Sequence, residues 1–403
     1  MKSVNDKFLE KQYKLKDSPF EKKVSRDSLH FWVDREDPLK VWKMQVEKGI
    51  NGVQNQVNFI IGDYGMGKTL ALFKIKDEFE DRTDVYETYM QLLSESRHKG
   101  GMDFLFRLFK EVDFKTIQRE RSREDINKAI SHLPEDEKFA DSKQIFRNIF
   151  ISNRGVFSYA DEDNADIPTN TSSNAELAIT FLKGGTISER ERKKLLKINR
   201  KIDDLEDAKV YLAAWLIFMK SLKYEAVLVL VDEFENLFYL VNKAERERYL
   251  ALFRSLFDLA DETNVPPETM STLILFFAST QSGWEHFNEL DDRRKVGDSP
   301  STALIERVNT PVFLEPLTFE NSKLLIERRL KFNRVDDKIE DTPLIPFTES
   351  FVKFIHDETG GVPRAIIKRC DKILDAGIEK RVSEIDDKFA KEVIDDLGYL
   401  SLS

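Results

Sequence analysis

The sequence predicts an α/β fold with a parallel five-stranded sheet, a long helical insertion and a helical C-terminal lid. Five short apolar stretches of strand length are separated by stretches that have the apolar spacing of helices. Two of the five, residues 226–231 and 272–278, are apolar without alternation, which is typical of strands buried on both faces. From Thr318 onward the spacing is helical only, which predicts a separate helical domain.

The predicted elements follow one another in a simple order. Residues 1–30 are polar and charged, and we expect an arm that lies on the core or is partly disordered. Leu39, Trp42 and Val46 have helical spacing and predict a helix over residues 38–48. The predicted strands are residues 57–61, 85–90, 226–231, 272–278 and 310–314. Core helices are predicted at residues 69–79 and 244–260.

A long helix-rich interruption, residues 95–205, separates the second predicted strand from the third. Helices are predicted within and after it at residues 102–112, 145–151, 175–183, 188–201 and 208–222. Its polar centre, residues 161–174, is predicted to be a mobile loop. The lid helices are predicted at residues 319–333, 348–358, 362–379 and 386–397. The expected domains are therefore an arm at 1–30, a core at 31–315 that contains the insertion, and a lid at 316–403.

Composition and charge exclude several classes of protein. The net charge is −10, so nucleic-acid binding would need a local basic face. Cys370 is the single cysteine, which makes an intramolecular disulfide impossible, and the five histidines lack the spacing of metal ligands. The N-terminus has no signal-peptide pattern, and the longest apolar run, residues 210–219, is too short to span a bilayer. We therefore expect a cytoplasmic protein without membrane contact.

The first chemical motif follows the first predicted strand. Residues 62–69, Gly-Asp-Tyr-Gly-Met-Gly-Lys-Thr, fit the pattern G-x-x-x-x-G-K-[ST] and open a predicted helix. The backbone amides of such a loop bind phosphate oxygens. The candidate binding residues are therefore Gly62, Asp63, Tyr64, Gly65, Met66, Gly67, Lys68 and Thr69. Lys68 would reach the β- and γ-phosphates of ATP, and the Thr69 hydroxyl would bind Mg²⁺. The alternative, a glycine turn with a chance lysine, does not account for the flanking strand and helix.

The second motif is a pair of carboxylates at the end of the third predicted strand. Asp232 would hold Mg²⁺ through water, and Glu233 would polarise the water that attacks the γ-phosphorus. An acidic helix start after a core strand is the alternative for this pair alone. Its occurrence in the same chain as the glycine loop favours the catalytic interpretation.

Three further positions are candidates for completing the site. Thr280 follows the fourth predicted strand and could orient the attacking water, with Gln281 and Ser279 as neighbouring choices and ordinary turn polarity as the alternative. Arg364 follows Gly-Gly-Val-Pro and would project from the first turn of a lid helix to the γ-phosphate, unless it is a solvated arginine beside a capping loop. Arg307 is a candidate arginine finger for a neighbouring subunit, and an exposed salt bridge is the alternative. Arg293 and Arg294 are weaker candidates for the same role.

Taken in this order, the motifs resemble the AAA+ ATPases over about residues 57–397. The Gly-Gly-Val-Pro-Arg segment at 360–364 looks most like the branch that holds origin-recognition initiators and transposition and signalling (STAND-like) ATPases. Asp34-Arg35-Glu36 is similar to the Gly-Arg-Glu box of that branch, with Asp34 in place of the glycine. The chain has no room after the lid for the winged helix of initiators, so an origin-binding initiator is not expected.

A narrower resemblance surrounds the carboxylates. Phe-Leu-Lys-Gly at 181–184, Val-Asp-Glu-Phe-Glu-Asn-Leu at 231–237, the helix at 246–261 and Phe-Ala-Ser-Thr at 277–280 look like the ATP-binding proteins of phage-exclusion (BREX) and related defence islands. The resemblance implies DNA-linked work inside a multiprotein complex.

The insertion raises the question of DNA contact. Between residues 183 and 201, only Glu189 and Glu191 oppose eight basic residues, namely Lys183, Arg190, Arg192, Lys193, Lys194, Lys197, Arg200 and Lys201. A basic helix of this kind could track phosphates, or it could be a solvated face. No aromatic residue lies in residues 184–201, so base stacking there is unsupported.

The function expected from the sequence is ATP hydrolysis with Mg²⁺ by a homo-oligomer. Because an arginine finger acts on a neighbouring subunit, activity should require assembly. Hydrolysis would be coupled to remodelling of DNA or of a protein–DNA complex, in anti-phage defence or a mobile element. The alternative is a slow-turnover nucleotide switch or scaffold that regulates the assembly of partner proteins. A small-molecule kinase is poorly supported, because Asp232, Glu233 and Arg364 suit hydrolysis better.

Overall fold

The computed structural model describes residues 7–20, 24–52, 54–92, 101–151, 174–239, 243–292, 307–335 and 343–400. The chain forms two compact units. The first unit comprises Met1–Val41, Gly62–Lys74 and Phe313–Ser403, and the second comprises Trp42–Ile61 and Ile75–Val312. Each unit has its own hydrophobic core.

The sheet has five strands in the order β2-β3-β4-β1-β5. They are β1 Gln56–Ile61, β2 Val85–Gln91, β3 Ala226–Asp232, β4 Thr272–Ser279 and β5 Val312–Phe313. The pairs β1–β4, β3–β4 and β2–β3 are parallel. The predicted α/β class with a parallel five-stranded sheet is therefore confirmed. Strand β5 is shorter than predicted, and Pro311 at its start has no amide hydrogen to donate to a neighbouring strand.

Helices account for most of the remaining described residues. In chain order they are α1 Glu36–Ile50, α2 Lys68–Phe79, α3 Gly101–Glu111, α4 Phe114–Glu120, α5 Arg123–Ser131, α6 Ala140–Phe150, α7 Asn174–Leu182, α8 Leu205–Ser221, α9 Asn236–Tyr239, α10 Lys243–Phe257, α11 Leu259–Glu262, α12 Gln281–Asp292, α13 Phe319–Phe332, α14 Glu349–Thr359, α15 Pro363–Glu379 and α16 Asp387–Leu400. Short 3-10 or π turns lie at Leu9–Tyr13, Arg26–Phe31, Glu137–Phe139, Glu191–Leu196 and Pro267–Thr269. Among the described helices, none is long and apolar enough to cross a bilayer.

Helix α8 joins the inserted helices to the sheet in the core of the second unit. It is buried along most of its length, which explains why it is apolar on all sides rather than on one stripe. The Trp215 ring lies 5.7 Å from Phe109 of α3 and 6.1 Å from Phe146 of α6, measured between ring centroids. The helices of the insertion therefore share one continuous core with the strands.

The prediction of one basic helix over residues 188–201 is wrong. The helical part ends at Leu196, because the next residue, Lys197, has a left-handed φ of 56°, and the chain beyond is irregular. Arg192 is buried and donates hydrogen bonds to the carbonyls of Ile198 and Asn199, so it is withdrawn from any basic surface. The Asp141 carboxylate, which belongs to helix α6, accepts a hydrogen bond from the amide of Asn199 and so fixes the irregular part of this segment. Of the loop predicted at residues 161–174, all but the last residue lie outside the described residues.

The N-terminal arm packs against the C-terminal helices within the first unit. Leu9, Leu15 and Phe20 are buried in the core that these helices form. The Tyr13 hydroxyl donates to the carbonyl of Val382 at 2.6 Å, and the buried Arg334 donates to the Tyr13 carbonyl at 2.7 Å. The sequence left open whether the arm packs on the protein or is partly disordered, and residues 7–20 are packed.

Candidate nucleotide site

The glycine loop lies in the first unit, directly before α2. Its turn is closed by a hydrogen bond from the Met66 amide to the Asp63 carbonyl at 3.2 Å. Gly65 and Gly67 have φ values of 90° and 93°, which residues with a Cβ rarely adopt. The loop leads into the N-terminus of α2, where the helix dipole favours an anion. The loop is therefore a tight glycine turn that opens a helix, which is the local geometry that the predicted phosphate-binding role needs.

Lys68 lies across this loop. Its ammonium group donates to the carbonyl of Gly62 at 2.8 Å and more weakly to that of Asp63 at 3.4 Å. The side chain is partly exposed, as is that of Thr69, the second residue of α2. The loop thus presents a cation and a hydroxyl at the start of a helix, groups of the kind that bind phosphate and Mg²⁺.

Arg364 lies against the same loop. Its amide donates to the Gly65 carbonyl at 3.2 Å, and its guanidinium carbon lies 4.4 Å from the centroid of the Tyr64 ring, a cation–π contact. A Cβ added to Gly65 would come within 2.7 Å of the Arg364 Cβ. The first turn of α15 therefore packs directly on the loop, and this contact requires the glycine.

The turn before α15 explains how Arg364 reaches this position. Gly360 and Gly361 have φ values of 57° and 73°, so the chain reverses sharply after α14. The Gly361 carbonyl accepts from the Leu317 amide at 2.9 Å, and a Cβ on Gly361 would clash with the Leu317 carbonyl oxygen. Pro363 then opens α15 with its φ already suited to a helix.

The two carboxylates lie in the second unit at the end of β3. Asp232 is buried, and its oxygens accept hydrogen bonds from the Glu233 amide at 3.0 Å and the Tyr89 hydroxyl at 3.1 Å. Glu233 is exposed and has a φ of 59°, a conformation that costs energy for a non-glycine residue. Its carboxylate accepts from the Asn236 side chain at 3.1 Å, and the same amide group donates to the Leu92 carbonyl at 2.6 Å.

The residues at the end of β4 have distinct environments. The Thr280 hydroxyl accepts from the Gly283 amide at 3.1 Å and so caps the start of α12. Gln281 donates to Glu285 on the same helix. Ser279 is fully buried, and its hydroxyl has no hydrogen-bond partner within the described part of the chain. Thr280 therefore has a structural task at this position, and its role in orienting water stays a prediction.

Arg307 forms an ion pair inside its own chain. Its guanidinium donates to the Asp258 carboxylate at 2.6 Å, and it lies over the Phe257 ring at 5.7 Å. Asp258 is the residue that separates α10 from α11, which had been predicted as one helix. The pair is partly exposed, so exchange with another partner would cost little. The finger role of Arg307 stays a prediction, and Arg293 and Arg294 lie outside the described residues.

The segment resembling a Gly-Arg-Glu box has a clear local role in the first unit. Asp34 adopts a φ of 56°, the left-handed conformation for which glycine is best suited, and aspartate tolerates it better than most residues. Arg35 is buried and donates to the carbonyls of Glu315 at 2.6 Å and Asp34 at 3.2 Å. Burial lowers the pKa of Arg35. The box thus ties the start of α1 to the segment that precedes the lid.

Sequence reasoning did not find Tyr89, Asn236 or Asp258. Asn236 lies three residues after Glu233, and a turn closed by the Asn236 amide on the Glu233 carbonyl brings the two side chains together, so a search of that spacing could have found it. Tyr89 and Asp258 contact residues far along the chain and left no local signal. Within the described residues, no group of three or more His, Cys, Asp or Glu could hold a metal ion.

Comparison with known proteins supplies the family. Residues 161–392, more than half of the chain, match the family described as BREX system ATP-binding protein BrxC/D. The chain belongs to this family. The match covers the two carboxylates and most of the predicted lid, and the predicted resemblance to BREX ATP-binding proteins is confirmed. The glycine loop precedes the matched region.

Other similarities are more distant. The BrxC/D protein is 30% identical over 170 residues to an uncharacterized HTH-type transcriptional regulator of Methanocaldococcus jannaschii, and spans 39% of that relative's length. Its structure is similar to the Aeropyrum pernix ORC2 protein in its ADP form, with a TM-score of 0.51, 13% identity, and coverage of 95% of this chain and 73% of that chain. It also matches Cdc6p of Pyrobaculum aerophilum with a TM-score of 0.41, 14% identity, and coverage of 97% and 71%. The likeness to ORC2 shows a shared fold and confirms the predicted fold class.

Proposed function

We propose that this BrxC/D-family protein is a Mg²⁺-dependent ATPase. The contact between Arg364 and the glycine loop carries the proposal. An arginine from the start of a lid helix is packed on a phosphate-binding loop through a backbone hydrogen bond at Gly65 and a ring contact at Tyr64. A cation placed there serves a bound polyphosphate, whereas a purely structural arginine would gain little from an exposed position. The ADP form of the similar ORC2 structure is in line with nucleotide binding by this fold.

The loop residues would bind and neutralise the phosphates. The N-terminus of α2 would favour the phosphates through the helix dipole, and Lys68 would exchange its hydrogen bonds with the loop carbonyls for phosphate oxygens. Arg364 would neutralise charge that develops on the γ-phosphate. The Thr69 hydroxyl, and the Asp232 carboxylate through water, would hold Mg²⁺, which prefers oxygen ligands. When bound, Mg²⁺ supplies charge neutralisation for phosphoryl transfer.

Glu233 is the proposed base that polarises the attacking water. Its carboxylate is exposed and held by one hydrogen bond from Asn236, so it can turn toward a water without leaving a buried charge behind. Its φ of 59° sets the direction in which the side chain leaves the end of β3. Thr280 would help to orient the same water.

We further propose that Arg307 completes the site of a neighbouring copy of the chain, so that turnover depends on homo-oligomer formation. Its bond with Asp258 is partly exposed and can be exchanged. Hydrolysis would drive remodelling of DNA or of a protein–DNA complex in a multiprotein defence system. The supporting feature is a group of exposed basic side chains in the insertion, namely Arg190, Lys193, Lys194, Lys197, Arg200 and Lys201.

A second candidate function is a nucleotide switch with slow turnover. In the single chain, both Glu233 and Arg307 are engaged by other side chains, Asn236 and Asp258 respectively. A protein held in this way would bind ATP and change its assembly state but hydrolyse slowly until a partner released the two groups. The switch and the motor would therefore differ in the rate of ATP turnover and not in nucleotide binding.

The test is ATP turnover by the wild type and by Glu233→Gln, each with and without double-stranded DNA, over a range of protein concentration. The motor proposal expects turnover that rises with concentration and with DNA, and a loss of at least about 100-fold in the variant with ATP binding retained. Lys194→Glu with Lys197→Glu should weaken the DNA effect and leave basal turnover unchanged. Binding of ATP with negligible turnover under all conditions would favour the switch. Absence of ATP binding would refute both.

A further inference from the structure

Tyr89 lies beside the carboxylate that is proposed to hold Mg²⁺. In the register of the sheet, Gln91 of β2 is opposite Asp232 of β3. Side chains two residues apart on a strand project from the same face, so Tyr89 and Gln91 share the face on which Asp232 lies. The sheet thus places the Tyr89 phenol beside this acid and the Gln91 amide beside the phenol. Both side chains come from a strand whose sequence carries no recognised motif.

The hydrogen bonds around Asp232 occupy both of its oxygens. Oδ1 accepts from the Glu233 amide at 3.0 Å, and Oδ2 accepts from the Tyr89 hydroxyl at 3.1 Å. The Gln91 side-chain amide donates to the Tyr89 oxygen at 3.2 Å. An ionised carboxylate can only accept hydrogen bonds, so the Tyr89 hydroxyl is the donor to Asp232. The direction of the chain is therefore Gln91 to Tyr89 to Asp232.

We propose that Tyr89 is a positioning residue that fixes the orientation of the Asp232 carboxylate toward Mg²⁺, with Gln91 orienting the phenol. The proposal rests on the proposed function. The terminal torsion of an aspartate is broad, so an acid without a second donor can rotate away from the geometry that a ligand needs. Mg²⁺ demands near-ideal octahedral geometry, which makes this orientation costly to lose.

The magnitude follows from the behaviour of groups that orient metal ligands. Removing such a partner usually weakens metal affinity by about 10- to 100-fold. Asp232 keeps its bond from the Glu233 amide when Tyr89 is changed, so we expect the lower end, about 10-fold. The affinity for nucleotide without metal should not change, because Tyr89 is proposed to act only through the acid.

The experiment compares Tyr89→Phe with Tyr86→Phe. Tyr86 lies on the same strand but on the other face, where its oxygen accepts from the Asp113 amide at 3.0 Å. Both variants lose one phenol hydroxyl from β2, so Tyr86→Phe controls for loosening of the strand. Binding of Mn²⁺, as a paramagnetic substitute for Mg²⁺, is titrated by electron paramagnetic resonance with a non-hydrolysable ATP analogue present. The binding of the analogue without metal is measured in parallel.

We expect Mn²⁺ binding about 10-fold weaker in Tyr89→Phe, unchanged in Tyr86→Phe, and unchanged metal-free nucleotide affinity in both. Wild-type Mn²⁺ affinity in Tyr89→Phe, or equal weakening in the two variants, would overturn the proposal. If Tyr89→Phe does not fold, Gln91→Ala is used instead, because Gln91 is exposed. This variant must then show a loss of Mn²⁺ affinity smaller than about 10-fold, and unchanged Mn²⁺ affinity would also overturn the proposal. Failure of the wild type to bind Mn²⁺ with the analogue would instead refute the proposed function.

Discussion

Two glycines of the loop offer a matched test of the contact between the loop and the start of α15. Gly65 and Gly67 have nearly the same φ, 90° and 93°, so alanine at either position suffers a similar backbone penalty of about 1–2 kcal/mol. A Cβ on Gly67 meets no atom within 4 Å, whereas a Cβ on Gly65 comes within 2.7 Å of the Arg364 Cβ. Overpacking of this kind adds about 1–3 kcal/mol.

We therefore expect Gly67→Ala to lose about 1–2 kcal/mol of unfolding free energy and Gly65→Ala about 2–5 kcal/mol. The smaller entropy of the unfolded alanine chain is the same for both and cancels in the comparison. The assay is urea unfolding of the nucleotide-free protein, with midpoints compared at equal slope. Equal losses in the two variants would refute the packing of Arg364 on Gly65, and with it the observation that carries the proposed function.

Three other perturbations test separate contacts. Arg307→Ala should abolish ATP hydrolysis and spare ATP binding. Asp258→Ala breaks the ion pair of Arg307 and should not lower turnover. Normal turnover in Arg307→Ala would exclude the finger role. Burial raises the pKa of Tyr13 to about 12 from 10, so its stabilising effect is complete below pH 10 and is lost as the pH rises from 10 to about 12. The difference in unfolding free energy between wild type and Tyr13→Phe should shrink across that window, and a constant difference would contradict the assignment. Thr280→Ala should lose about 1 kcal/mol of stability through the cap of α12, and Thr280→Ser should retain it, as measured by thermal unfolding.

Most of the fold was predictable because its signals are local. The buried strands β3 and β4 are continuous apolar runs, and the structure places them in the centre of the sheet, where both faces are covered. The lid helices begin and end within a few residues of the positions that apolar spacing indicated. The basic segment at 188–201 was mispredicted because its irregular part is held by Asp141, which lies far away in the sequence.

The candidate site divides in the same way. The glycine loop and the carboxylates follow from residue type and spacing, since their chemistry depends on a few consecutive residues. The sequence also suggested that Arg364 begins a lid helix, but only the structure shows that it packs on Gly65 and Tyr64. Likewise, a polar residue at the end of β4 was expected, but the capping of α12 by Thr280 and the burial of Ser279 were not.

The sequence by itself determined the class of the fold and the family resemblance, and it predicted a phosphate-binding loop and two catalytic carboxylates. These features are encoded in short runs, because a strand, a glycine turn or a helix start depends on neighbouring residues. Only the tertiary structure decided which side chains engage Asp232 and Arg307, and that the arm carrying Tyr13 shares a core with the lid helices. Those contacts join residues far apart in the chain, and they depend on strand register and on the packing of buried surfaces, which no local pattern records.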